Sequence, residues 1–304
     1  MRRLSQRNVA RHGDRGVAAI FVVLAVPVLV LCGAFVFDGG RGILARRQTQ
    51  SAADAGALAK ATDCVKSVAP TDFTPYQTNG ALLANTPTCG TGSTTVSMKR
   101  TITAAFPLGV GPWNVIRSAT AKWGTIGAAT TVPITISNCE FSQALLDGTT
   151  DIVLYLDDPK PQSGCSSLPG GFGQLLNVNC AVTVTASGTV AGDPGGDIMK
   201  QIPCITNATS PTLPHDILVP MYNSAACADT CKGHGPYPIL GFAMFRVTGY
   251  SFNGNKFDGS LGNKCPDNSR GKYCIKGDFI RFVVSAGSPG PSTDFGTSQV
   301  YLSD

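Results

Sequence analysis

The sequence predicts an α+β protein: a single N-terminal transmembrane helix continues into a helical neck, and a strand-rich, disulfide-stapled extracytoplasmic domain follows. Three observations lead there. Gly16 to Phe37 contains no charged residue, ten cysteines lie beyond that run, and short alternating apolar segments are separated by Gly- and Pro-rich links. Of 304 residues, 35 are Gly and 20 are Pro, and 14% are charged. That composition fits loop-rich β structure better than a helical bundle. The formal net charge of +5 is local, because Arg2, Arg3, Arg7, Arg11 and Arg15 precede the apolar run against the single Asp14. The remainder is close to neutral, so no basic face for nucleic acid is implied.

Residues 1–15 read as a cytoplasmic basic stub and 16–38 as the transmembrane helix. The 22 residues from Gly16 to Phe37 rise about 33 Å as a helix, against a bilayer core of about 30 Å. Pro27 sits mid-segment, where a membrane helix tolerates a kink. The five arginines hold the N-terminus inside and place the long C-terminal part outside. Arg41, Arg46 and Arg47 weaken this bias without reversing it. A cleaved signal peptide fits less well, since the apolar core is long and ends in VFDGG rather than in a small-x-small exit. A lipoprotein anchor at Cys32 is disfavoured by Leu31 before it. A lone thiol inside the span reads as a small apolar residue.

Residues 39–66 read as the helical neck: alanine is dense there and proline absent, with Gly39, Gly40 and Gly42 as a flexible joint to the membrane segment. Residues 67–304 form the outer domain. Its first part, 66–93, reads as loop. Two alternating strands follow: Val96, Met98, Ile102, Ala104 and Phe106 share one face of the first, and Trp113, Val115, Ala119, Ala121 and Trp123 one face of the second. PLGVGP between them has turn chemistry, so the pair is expected to make an antiparallel hairpin or meander. Further strands are expected at 132–136, 152–156, 180–185, 216–220, 240–247 and 279–284, with a helical turn at Phe141–Leu146.

The ten outward cysteines are Cys64, Cys89, Cys139, Cys165, Cys180, Cys204, Cys227, Cys231, Cys265 and Cys274. An even number outside the cytoplasm reads as a disulfide framework. Sequential pairing is the economical choice: Cys64–Cys89, Cys139–Cys165, Cys180–Cys204, Cys227–Cys231 and Cys265–Cys274. Zinc is the rival at Cys227 and Cys231 with His234, but a fourth ligand is missing from the neighbourhood.

Catalytic patterns are absent. There is no G-x-S-x-G elbow, no H-E-x-x-H and no phosphate-cradling glycine loop. His215 reads as a strand-entry residue, and Asp157 and Asp158 before Pro159 as a turn. Asp193 and Asp197 lack the spacing of a calcium loop. Asn207 and Thr209 form a sequon without meaning in a host that does not glycosylate. Phe242, Phe245, Tyr250 and Phe252 read as core. No cofactor, metal, nucleic acid or small-molecule substrate is expected, and the protein reads as no enzyme.

One stretch is specific beyond hydropathy. Arg15–Ala59 carries Gly16 at the start of the apolar run, Pro27 inside it, the turn Asp38-Gly39-Gly40-Arg41, and a helix with Gln50, Ala53 and Asp54 in Q-S-A-A-D-A-G-A-L-A. This stretch resembles the N-terminal segment of Flp pilus-assembly TadE/TadG-like (Tad) proteins. GGFG (170–173), 238–252 and 273–283 resemble the outer region of some relatives. The resemblance implies a bacterial membrane-anchored structural or accessory component of a Tad/Flp-type pilus or secretion assembly. Its partners would be the bilayer and pilus or Tad-secretion proteins. The alternative is an envelope binding module, an adhesin or sensor-like ectodomain unrelated to pili. Some relatives resemble prepilins with Glu five residues after the glycine. Phe21 stands there in this chain, so the N-terminus is expected to stay uncut. The metal motif of a von Willebrand A-type domain, which larger relatives can carry, does not occur.

Overall fold

The computed structural model describes residues 15–68, 71–104, 111–142, 145–146, 151–156, 171–176, 179–193, 204–205, 215–227, 231, 236–252, 255–257, 265–266, 273–284 and 287–303. One long helix, α1 (Arg15–Lys66), comes first. The strands are β1 (Ala81–Leu83), β2 (Ser93–Ile102), β3 (Trp113–Gly124), β4 (Ile126–Thr131), β5 (Ile134–Ser137), β6 (Ile152–Tyr155), β7 (Phe172–Gln174) and β8 (Val182–Thr185). They continue with β9 (Thr189–Val190), β10 (His215–Tyr222), β11 (Tyr237–Phe252), β12 (Asn255–Phe257), β13 (Cys274–Ile280), β14 (Phe282–Val284), β15 (Ser288–Pro289) and β16 (Thr297–Ser303). An N-terminal helix long and apolar enough to cross a membrane is therefore followed by a strand-rich region, in keeping with an α+β chain.

Two compact units can be separated. The first comprises Met1–Gly56, Asp72–Pro87 and Val96–Ala119, and the second Ala57–Thr71, Thr88–Thr95 and Thr120–Asp304. In the first, β1 runs antiparallel to β2, with Leu82 opposite Lys99, and β2 neighbours β3. Val96, Met98 and Ile102 on β2 and Val115 and Ala119 on β3 are buried, as the alternation requires. The hydroxyls of Ser97 and Ser118 meet at 2.8 Å on the other face.

The second unit is built on a large sheet ordered β6-β13-β11-β10-β5-β7. Its pairings are antiparallel except for β5 with β10. Strand β11 is apolar on both faces because both faces are covered. Ala243, Phe245 and Val247 join Ile217, Val219, Ile275 and Phe279 in one core. Phe242 and Met244 join Ile126, Val184, Tyr222 and Ile239 in the other. The second core is closed by the small sheet β15-β4-β8. Each fully buried aromatic contributes about 1.5–3 kcal/mol of transfer free energy. Phe242, Phe245 and Phe252, at 1%, 0% and 0% exposure, are core residues and not a binding platform. Gly277 is required by close packing: a Cβ there would collide with the Arg246 carbonyl and the Phe245 ring.

Several expectations need correction. The helix runs unbroken through Asp38-Gly39-Gly40-Arg41 and Gly42, where a turn and a joint were expected. Each glycine costs a helix interior about 1 kcal/mol, too little to end a helix that continues for six more turns. Residues 66–93 are not all loop, since β1 forms there. Strand β11 outruns its expected end at Val247, because a register shift between Val247 and Gly249 lets pairing with β13 resume. The last expected strand divides into β13 and β14, and β4 and β16 were not foreseen. In Phe141–Leu146 the Leu145 N–H donates to the Ser142 carbonyl at 2.9 Å, after a 3-10 turn at Asn138–Glu140. Expectations for the basic stub, Phe106, Asp157, Asp158, Cys165, Asp197, Asn207, Thr209 and His234 fall outside the described residues.

Candidate functional site: an apolar helix and its docked base

Helix α1 changes surroundings along its length. From residue 19 to 37 its side chains are exposed apart from Ala34, with Phe21, Leu29 and Phe35 at 68%, 69% and 76%. So much exposed apolar surface on consecutive turns marks an interaction face. Gly16 lies in the first turn, and exposed Pro27 is accommodated within the helix, where its missing N–H leaves the Val23 carbonyl without its usual partner.

From Gly42 the environment changes within the first unit. Ala45 packs with Ile102, Val115 and Trp113. Thr49 is fully buried and returns its hydroxyl to the Ala45 carbonyl at 2.7 Å. Ala52, Ala53 and Gly56 continue the buried stripe at helical spacing. At Gly56 a Cβ would lie 3.2 Å from Met98 Cε, 3.3 Å from Val96 Cγ1 and 3.6 Å from Phe73 Cδ1. The small residues of the Q-S-A-A-D-A-G-A-L-A signature thus form a docking face that lets the helix backbone approach the strands. Gln50 donates to Asp54 Oδ1 at 2.8 Å within the helix and to the Ser118 carbonyl of β3 at 3.5 Å, and just before the signature Gln48 accepts from the Arg100 guanidinium of β2. Arg41 is exposed, and its guanidinium carbon lies 5.9 Å from the centroid of the Phe37 ring one turn earlier.

Among the described residues, disulfides join Cys64–Cys89, Cys180–Cys204, Cys227–Cys231 and Cys265–Cys274. Each joins sequential neighbours. Cys227 and Cys231 therefore offer no thiolates to zinc, even though only four positions separate them. Cys139 is disulfide-bonded as well, while the pairing expected for it involves Cys165, outside the described residues. Cys32 is a free, exposed thiol on the apolar part of α1. Among the described residues no three His, Cys, Asp or Glu side chains converge as a metal site would need. His215 opens β10 opposite Val247.

A charged ladder across the large sheet was missed. Arg246 holds Asp216 on the neighbouring strand through two hydrogen bonds, 2.7 and 2.9 Å. Asp278 is its cross-strand partner on the other side. Lys276 meets Asp151 at 2.8 Å, and the Thr248 hydroxyl donates to Asp151 at 2.8 Å. Desolvation pushes Asp151 up, but hydrogen bonds from Lys276 and Thr248 and the Lys276 charge overcome it, leaving its pKa below the ordinary carboxylate value. Burial, and then the neighbouring Asp151 carboxylate, push Asp278 up. The hydrogen bond with Asp216 pushes Arg246 up. The signal was one or two charges placed in each of three otherwise apolar strands, but the partners lie too far apart in sequence to be paired on paper. This arrangement ties β6, β10, β11 and β13 together.

The fold and the helix define a class: a disulfide-bonded β-rich chain led by a helix that is apolar and exposed before it docks. Residues 16–62 match the family model Tad, described as Flp pilus-assembly TadE/G-like. That stretch contains Gly16, Pro27, Asp38, Arg41, Gln50, Ala53 and Asp54. No curated protein and no solved structure matches the chain. The match covers the apolar stretch of α1 and most of its docked turns, and ends before the strands begin.

Proposed function

We propose that this protein is a membrane-anchored structural or accessory component of a Tad/Flp-type pilus or secretion assembly. Residues 1–15 lie in the cytoplasm, 16–38 cross the membrane once, 39–66 form the neck and 67–304 lie outside the cytoplasm. The observation that supports this most is the change of environment along one unbroken helix. Its turns before Asp38 expose apolar side chains, and its turns after Gly42 dock through the small residues of the Tad signature. Both parts fall inside the matched residues 16–62. The apolar stretch is long enough for a bilayer core, and the arginines before it favour an inside N-terminus. The disulfides fit an oxidising compartment. In this reading the protein acts by contact with pilus or secretion proteins and performs no chemistry on a substrate.

The test is deletion of the gene in its host, complemented with tagged protein. Loss of Flp-type pili, retention of the protein in membranes after alkaline carbonate, and protease access to a C-terminal but not an N-terminal tag are expected. Normal pili in the deletion strain, with the tagged protein anchored in the complemented strain, would favour the envelope binding module instead.

A further inference from the structure

We infer that the crevice where α1 leaves its apolar stretch and meets β2 binds the phosphate of an anionic membrane phospholipid, with Arg41 and Arg100 as the ligating cations and Trp113 as an interfacial anchor. The inference rests on the membrane reading and adds to it a lipid class and a site.

Arg41, Leu44, Gln48 and Arg100 line one crevice of about 220 Å³ within the first unit. Its position along the helix is set by arithmetic. At about 1.5 Å per residue, Arg41 lies about 6 Å beyond Phe37 and Gly42 about 7.5 Å beyond it. The headgroup layer outside each face of the hydrocarbon core is about 5–7.5 Å thick. Arg41 and the ring of Trp113, whose Cζ2 would be 4.0 Å from a Cβ at Gly42, therefore fall at headgroup level when the apolar run fills the core. Arg41 leans back toward that level, its guanidinium facing the Phe37 ring. Trp113 is half-buried against Ala45 and Ile102, and tryptophan favours the membrane interface.

The charge is complementary. Between Phe37 and Gln48 stand Arg41, Arg46 and Arg47 against the single acid Asp38, and Arg100 adds its guanidinium from the strand. Gln48 occupies one Arg100 donor, and a guanidinium has five. Both arginines line the crevice, Arg41 at its membrane end and Arg100 further out beside Gln48, and a guanidinium can bind a phosphate with paired donors. Ile43 and Leu44, exposed at 57% and 55%, give the lipid's glycerol and upper acyl chain an apolar surface beside it.

The test uses the full-length protein in nanodiscs, in a Trp123→Phe background that leaves Trp113 as the emitting tryptophan. Energy transfer from Trp113 to dansyl-labelled phosphatidylglycerol is compared with transfer to dansyl-labelled phosphatidylcholine. Lipids spin-labelled near the headgroup or deep in the chains report depth. A preference for phosphatidylglycerol of about five-fold per arginine is expected, with stronger quenching by the shallow label. Arg41→Gln with Arg100→Gln should bring the preference close to one, and Arg41→Lys with Arg100→Lys should restore part of it. Because Arg100→Gln removes a bond to Gln48, Arg41→Gln alone is the second variant, and it should lose part of the preference at unchanged thermal stability. A protein that stays in membranes through alkaline carbonate yet shows equal transfer to both lipids, or no shallow quenching of Trp113, overturns this inference alone. A protein that leaves the membrane overturns the anchor reading and this one with it.

Discussion

Position 56 tests whether the small residues of the signature are a docking face. Gly56→Ala adds a Cβ 3.2 Å from Met98 Cε and 3.3 Å from Val96 Cγ1, a few tenths of an ångström inside the preferred carbon–carbon separation of about 3.5–4.0 Å. Met98 presents the end of a flexible chain and can yield, whereas Val96 is stiff at χ1. Against that strain stands a helix-propensity gain of about 1 kcal/mol, so Gly56→Ala should fall between neutral and about 1 kcal/mol stabilising. Gly56→Leu gains similar propensity but places three further carbons into the same contact, and overpacking of this kind costs about 1–3 kcal/mol. Its melting temperature should drop by several degrees, at about 2–4 °C per kcal/mol for a large domain. Ser51, exposed on the same helix, is the control: Ser51→Leu should change stability by less than about 0.5 kcal/mol. Thermal unfolding of the purified full-length protein, with proteolysis as a second probe, measures all three. Gly56→Leu as stable as the parent, or Ser51→Leu equally damaged, would refute the docking-face argument.

The ladder carboxylates should respond to pH in opposite directions. Asp151, with its folded pKa lowered, contributes stability above the ordinary carboxylate value and loses it as pH falls through the lowered pKa. Asp278, with its folded pKa raised, favours the fold below that value and loses this as pH rises through the raised pKa. Asp278→Asn should therefore flatten the fall in stability as pH rises above the ordinary carboxylate value and raise stability at neutrality, while Asp151→Asn lowers it; denaturant melts across pH check both. Replacing Cys180 and Cys204 together by Ser opens a bridge with a sequence separation of 24 and should cost about 3 kcal/mol in the chain-entropy model, read by thermal unfolding against a non-reducing peptide map. His215→Ala at the start of β10 should leave pilus assembly near the parent level, measured by counting pili at equal protein abundance.

What could be read beforehand was whatever is encoded locally. The apolar run, the signature from Gly16 to Ala59 and the alternation of Val96 with Met98 or Val115 with Ala119 all show within a few residues. Strand β1 did not, because three residues carry no period. Strand β16 did not, because its buried residues Thr297 and Ser298 are polar neighbours and break the alternation that marks a half-buried strand. The ladder was hidden because Asp216, Arg246, Lys276 and Asp278 come from three strands paired at long range, and Asp151 from the residue just before β6. The composition of the neck announced a helix, but not that its alanines and Gly56 were small for the sake of Met98 and Val96. The glycines at 39, 40 and 42 misled, since propensity alone cannot say that docked turns on one side and apolar turns on the other carry a helix through.

The bridge from Cys64 to Cys89 sets the route that mechanical tension takes through the molecule. A pull on the apolar end of α1 travels along a continuous rod of hydrogen-bonded turns to Cys64, close to its last residue, Lys66. There the load crosses a covalent bond to Cys89, four residues before β2 begins. The intervening 3-10 turns and β1 are bypassed, so this excursion cannot pay out as slack. Force would reach the strands at once and spread over their ladders in shear. Under reduction the same pull would be held by the packing of α1 against β2 and β3 alone, and once that yields residues 65–88 would unreel, turning a stiff connection into a compliant one.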